Sequence, residues 1–94
     1  MTELATSKLL VDNDRVRVAE WRFAPGAATG FHRHELDYVV VPRTTGTLKM
    51  VDAQGKEHFA ELTEGSPYFR GAGVEHDVIN ANDFEFVFVE VEIK

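Results

Sequence analysis

Apolar and polar residues alternate with a period of two in repeated stretches of this 94-residue chain, as side chains do on the two faces of a β-strand. No long segment repeats apolar residues at three and four positions, so the pattern predicts an all-β protein. Strands are expected at Lys8 to Val11, Arg15 to Phe23, Phe31 to Val41, Gly46 to Val51, Lys56 to Leu62, Pro67 to Arg70, Glu75 to Ala81 and Phe84 to Ile93. Between them stand Asp12-Asn13-Asp14, Pro25-Gly26, Asp52-Ala53-Gln54-Gly55, Thr63-Glu64-Gly65-Ser66 and Asn82-Asp83, residues that tolerate or preset the backbone angles of a reversal. Many short strands with close turns favour a sandwich or barrel over an α/β arrangement.

Two of these strands depart from simple alternation. In Arg15 to Phe23 the apolar parity switches between Val16, Val18 and Ala19, Trp21, Phe23, which predicts a bulge or a change of face within that strand. The last strand is apolar on both sides, with Phe84, Phe86 and Phe88 on one and Val87, Val89, Val91 and Ile93 on the other. A strand buried on both faces needs a second layer, from the barrel itself or from another subunit, and a homodimer is the expectation for the latter. No linker, repeat or low-complexity tract interrupts the chain, so residues 1–94 are read as one domain.

Composition narrows the function. The hydrophobic fraction of 44% is ordinary, and no stretch approaches the ~20 apolar residues of a membrane helix, so no membrane partner is expected. The N-terminal Met1 to Lys8 lacks a basic segment followed by an apolar run, so a cytoplasmic protein is expected. There is no cysteine, which excludes disulfides and thiolate ligands and leaves any metal to nitrogen and oxygen donors. A net charge of -6 without a Lys/Arg cluster argues against nucleic acid as a partner, because that binding draws on neutralised phosphates. No Ser-His-Asp order, phosphate loop or dinucleotide fingerprint is present.

The chemistry lies in the histidines. On a strand, His32 and His34 present both imidazoles to one face, at a separation that suits two neighbouring positions on one metal ion. The same parity turns Leu36, Tyr38 and Val40 inward and sends Glu35, Asp37, Val39 and Val41 outward. His76, in Glu75-His-Asp-Val-Ile-Asn80, would join the pair across the barrel. Three neutral imidazoles hold a first-row divalent ion and leave positions open for water, substrate or dioxygen. A His-x-His pair also arises on strands that bind no metal, with the imidazoles bonded to each other and to water.

The chain resembles the cupin superfamily. Its first motif has a glycine, five residues, His-x-His, three or four residues, a glutamate, six residues and a glycine. Here Gly26, His32-Arg33-His34 and Gly46 take those places. The second motif has glycine, five residues, proline, one residue, glycine, two residues, histidine, three residues and asparagine. Gly65, Gly71, Gly73, His76 and Asn80 follow it, with Gly71 where the proline belongs. The resemblance spans Gly26 to Asn80 and implies a cupin-type double-stranded β-helix, or jelly-roll barrel, holding one divalent metal ion (Fe, Ni, Zn or Mn).

The glutamate ligand is the departure from that pattern, since Tyr38 stands in its place. The metal ligands are then His32, His34 and His76, as in cupin dioxygenases that bind iron with three imidazoles, unless Tyr38, Asp37 or Glu35 substitutes. Tyr38 is the candidate catalytic residue, as a hydrogen-bond donor or an acid; the alternative is a tyrosine of the barrel wall. The expected function is a metal-dependent, dioxygenase-like enzyme acting on a small organic substrate. The alternative is a binding module whose metal anchors a ligand or stabilises the barrel. The run Asp37 to Pro42 after His-Arg-His is also similar to small cupins of β-alanine degradation. Of the rest, His58 is expected at the surface and Asn80 in a structural cap. Arg70 is expected in solvent, or at an anionic substrate, and Trp21 with Phe23 in the core or lining the pocket.

Overall fold

A computed structural model describes residues 3–94 of the chain. These residues form β1 (Thr6–Asp12), β2 (Val16–Phe23), β3 (His32–Arg33), β4 (Asp37–Pro42), β5 (Gly46–Val51), β6 (Glu57–Leu62), β7 (Tyr68–Arg70), β8 (Glu75–Asn80) and β9 (Phe86–Ile93). All pair antiparallel, in one sheet of five strands ordered β1-β2-β9-β4-β7 and one of four ordered β3-β8-β5-β6. This is the all-β architecture the alternation predicts, and the jelly-roll barrel that the cupin resemblance implies. No helix among the described residues is long and apolar enough to cross a membrane.

The inner faces of the two sheets make the core. Phe23, Leu48 and Phe86 are fully buried there, with Val40, Leu62, Val78 and Phe88 around them. The rings of Phe23 and Phe88 lie 5.4 Å apart at a 38° tilt, a favourable offset geometry. On β4 the parity is as expected, with Tyr38 and Val40 buried and Asp37 exposed.

Three local expectations are corrected. The predicted strand Phe31 to Val41 is two strands in different sheets, β3 against β8 and β4 against β9 and β7. The chain leaves one sheet after Arg33 and enters the other at Asp37, which is how a two-sheet barrel turns its corner. The bulge lies not in β2 but in its neighbour: Leu9 pairs with Ala19 and Val11 with Val18, leaving Leu10 extra on β1. β2 pairs with β9 without interruption from Val16 to Phe23. Its two apolar parities are two apolar faces, Trp21 and Phe23 inward and Val16 and Val18 outward. The last strand begins at Phe86, and Phe84 is exposed in the preceding turn.

The inner side of β9 is covered by the barrel; on the outer side Val87 is buried beside Arg43 and Thr44, while Val89 and Val91 are half-buried and Ile93 is exposed. Val11, Val18, Val91, Val39 and Phe69 stand opposite one another in a row across all five strands.

Asn80 ties the turn regions to the core. It is buried, and its amide Nδ2 donates to the carbonyls of Phe23 (3.1 Å), Ala24 (3.2 Å) and Phe84 (2.8 Å), while Oδ1 accepts from the Asn82 amide at 2.9 Å. Asn82 in turn brackets Thr47, accepting from its N–H at 3.0 Å and donating to its carbonyl at 2.8 Å. Gly46 must lack a side chain because a Cβ there would stand 2.9 Å from Asn82 Oδ1. Both motif residues are therefore structural, as the sequence suggests for Asn80. Replacing Asn80 by Ala leaves buried carbonyls without donors and is expected to cost at least ~2 kcal/mol in urea unfolding; a loss within error of zero would remove this role.

Candidate metal centre

The centre is built where a two-residue strand crosses β8. His32 of β3 pairs directly with His76 of β8. His34 lies beyond the end of β3, yet its N–H donates to the Val74 carbonyl at 2.8 Å and its carbonyl accepts from the Gly73 N–H at 2.7 Å. Gly73 has φ +99, a left-handed conformation that a side chain would strain. The segment thus keeps strand-like contact past its regular end, and both imidazoles of the His-x-His pair turn to the same side.

The three rings converge through their Nε2 atoms. His34 Nε2 lies 3.0 Å from His32 Nε2 and 3.2 Å from His76 Nε2. The ligand atoms of all three lie within 4.8 Å of one another. Two imidazole nitrogens each ~2.1 Å from one ion stand ~3.0 Å apart at a right angle and ~3.4 Å apart at the tetrahedral angle. The donor set therefore fits one divalent cation.

Tautomer and protonation point the same way. His32 Nδ1 lies 2.8 Å from the Gly30 carbonyl and donates its proton there, so its Nε2 presents a lone pair to the centre. The loop beneath is fixed by Asp77 Oδ1, which accepts from the Gly30 N–H at 3.1 Å, and by Thr29 Oγ1, which accepts from the Val78 N–H at 3.2 Å. Such outer contacts orient metal-binding histidines. Burial, and then neighbouring His32, push the pKa of His34 down to about 4; burial, with His32, His34 and Arg70 adding to it, does the same for His76. Both are neutral near pH 7, the state a ligand requires.

Of the carboxylates near the pair, neither Glu35 nor Asp37 belongs to the cluster. Glu35 is exposed and pairs with Arg33 at 3.6 Å, and Asp37 Oδ1 accepts from the Ala72 N–H at 2.8 Å. Tyr38 is buried and stacks on the His34 ring, with centroids 3.9 Å apart and planes 15° from parallel. Burial pushes its hydroxyl well above the ordinary phenol range, Tyr68 and Glu90 adding to the shift. It is a neutral hydrogen-bond donor that also fixes the His34 ring.

The imidazoles open on a cavity of about 340 Å³ walled by Trp21, Tyr38, Leu48, Met50, Tyr68 and Phe88. A second cavity, of about 470 Å³, shares Tyr38, Met50, Tyr68 and His76 and adds Arg70, whose guanidinium lies 5.0 Å from the Tyr68 ring centroid. Trp21 lines the first cavity, whereas Phe23 is sealed in the core. His58 is an exposed residue 3.5 Å from Asp52, at the edge of the second cavity.

Sequence reasoning missed Glu90 and Glu92, which line the first cavity. The signal was available: counting by two from Phe86 and Phe88 places both carboxylates on the inward face of β9. Burial, followed by Glu92, raises the pKa of Glu90 to about 7.

A curated protein of Pseudomonas aeruginosa, the beta-alanine degradation protein BauB, is 60% identical over 90 residues, covering 96% of this chain and 94% of that protein. The crystal structure of a cupin domain from Bordetella pertussis is 53% identical and superposes with a TM-score of 0.96, over 100% of this chain and 97% of the other. The chain is a cupin. More distant folds agree, such as a cupin superfamily protein of Desulfitobacterium hafniense at 15% identity, TM-score 0.73, over 99% of this chain and 80% of that one. No family model matches the sequence.

For this cupin the buried groups dictate a pH response in opposite directions. His34 and His76 have folded pKa values below the unfolded value of 6.5, so below that pH the unfolded chain binds protons first and stability falls towards pH 4. Glu90 has a folded pKa above its unfolded value, so its contribution is present at low pH and lost as pH rises through about 7. Glu90→Gln should therefore raise the melting temperature of the metal-free protein at pH 8 and change it little at pH 4. An equal effect at both values would show that the burial of Glu90 is not what sets its ionisation.

Proposed function

We propose that the protein is a metal-dependent, dioxygenase-like cupin that acts on a small organic molecule within the barrel. The observation that carries this reading is the convergence of three imidazole donors, with no carboxylate among them, on a cavity lined mainly by apolar side chains. His32, His34 and His76 would hold one divalent ion, of iron, nickel, zinc or manganese. Such an ion supplies Lewis acidity and, where it is iron, redox chemistry with dioxygen. The chain itself positions and shields. Trp21, Leu48, Met50 and Phe88 exclude water, Tyr38 offers a proton-bearing hydroxyl beside His34, and Arg70 stands at the far side of Tyr38 for an anionic group. The name of the Pseudomonas relative supports a place in the degradation of β-alanine.

Protein purified without added metal, then loaded with iron, is expected to hold close to one ion per chain and to consume oxygen with a member of a panel of small diketones, thiols and catechols. His76→Ala should lose stoichiometric metal by elemental analysis; unchanged affinity would overturn the ligand assignment. Silence across the oxygen panel with metal and ligand binding intact would favour a non-catalytic binding cupin.

We also propose that the expected homodimer forms on the outer face of the five-stranded sheet. The row of Val11, Val18, Val91, Val39 and Phe69 is apolar from edge to edge and centred on Val91, so a two-fold axis near Val91 lays it on its own copy. Val91→Lys is expected to turn a sedimenting dimer into a folded monomer. A wild-type chain that sediments as a monomer at high concentration would remove the proposal.

A further inference from the structure

The cavity beside the three imidazoles contains a carboxylate that the metal reading does not use. Its charged lining residues are Arg33, Glu35, Glu90 and Glu92. Arg33 pairs with Glu35 and with Glu75, and Glu92 lies 3.7 Å from Arg17. The Glu90 side chain alone has no ionic partner and no hydrogen bond among the described residues. It is half-buried on the inward face of β9, paired with Ala19 of β2 and Val40 of β4. Tyr68, which pairs with Val40, stands beside it across β4, while Phe88 precedes it by two residues and Trp21 pairs with Phe88. A carboxylate that shares a cavity with Trp21, Tyr68 and Phe88 has the chemistry that recognises an ammonium group. The carboxylate supplies a charge-assisted hydrogen bond, and the ring quadrupoles attract the remaining positive charge. Glu92, two residues along the same face, adds negative charge that Arg17 offsets in part.

We propose that Glu90, with Trp21, Tyr68 and Phe88, forms a subsite for the ammonium group of a small ligand whose oxygen-bearing end faces His32, His34 and His76. The proposal deepens the functional reading by naming the substrate class, an amino-bearing oxygen donor of a few carbons. It rests on that reading only for the orientation of the ligand. The subsite itself is defined by side chains of the apo chain.

Trp21 is the chain's one tryptophan and lies in the cavity, so its fluorescence reports occupancy. Two matched pairs of probes isolate the ammonium group: 3-aminopropanoate against propanoate, and ethanolamine against ethanol. In the wild-type protein the amino member of at least one pair is expected to bind about tenfold more tightly than its partner. Glu90→Asp, which keeps the charge, should retain a preference for the amino member. Glu90→Gln, which keeps the shape, should lose it, with the cobalt(II) stoichiometry of both variants unchanged. A wild-type protein that prefers neither amino probe, or a preference that survives in Glu90→Gln, overturns the subsite. Loss of cobalt binding in the wild-type protein alongside an intact ammonium preference would instead sink the metal reading and leave the subsite standing.

Discussion

The pairing of His32 with His76 across β3 and β8 is the constraint on which the centre depends. A shift of one residue in that register would turn His76 to the opposite face and break the triad. Two residues of strand are too few to hold register unaided, and the neighbouring backbone supplies the rest. Gly26 donates to the Asn80 carbonyl at 3.1 Å, Asn80 to Ala27 at 2.9 Å, Thr29 to Val78 at 2.9 Å and His34 to Val74 at 2.8 Å. The segment from Gly26 to His34 therefore runs along the whole of β8. The Asn80 side chain, bonded to the Phe23, Ala24 and Phe84 carbonyls, anchors the far end of that track in the core. The structural asparagine and the candidate ligands belong to one register.

The interior that this register organises is not optimised for stability. Burial holds His34 and His76 neutral in close contact with His32, and Glu90 sits in the barrel without a cation. A buried carboxylate without a partner is destabilising once ionised. Features of that kind, in an otherwise largely apolar barrel interior, are where sequence-to-fold consistency gives way to function. The apolar walls strengthen the same groups' interactions with a ligand, because low local polarity raises the worth of each charge and hydrogen bond.

Which of these features the sequence discloses depends on whether a period-two rule governs them locally. The facing of His32, His34 and Tyr38, and the outward turn of Asp37, follow from parity alone, and the motif spacing adds His76. The corner at His34-Glu35-Leu36 is hidden because it contains no glycine or proline and the alternation continues in phase through it. The sheet change costs the pattern nothing, so the pattern cannot announce it. The bulge is misplaced for a related reason. A strand with two apolar faces looks like a strand whose faces have been exchanged, and only the register against β1 tells them apart. Glu90 and Glu92 are missed because β9 reads as so strongly apolar that its two acids pass for solvent-facing breaks.

Tyr38 in place of a carboxylate changes the charge of the centre rather than its shape. A divalent ion held by three neutral imidazoles keeps its full double charge, whereas a glutamate ligand would remove half of it. Burial, with Tyr68 and Glu90, pushes the Tyr38 hydroxyl up and disfavours a phenolate there. With such an ion bound, an incoming anionic molecule or the carboxylates across the cavity would supply the balancing negative charge. An ion at the three histidines would draw a negatively charged oxygen donor to that side, while Glu90 and Glu92 would make the β9 side hospitable to a positive group. The two walls impose opposite fields on a single cavity, and a ligand with separated charges is oriented by both.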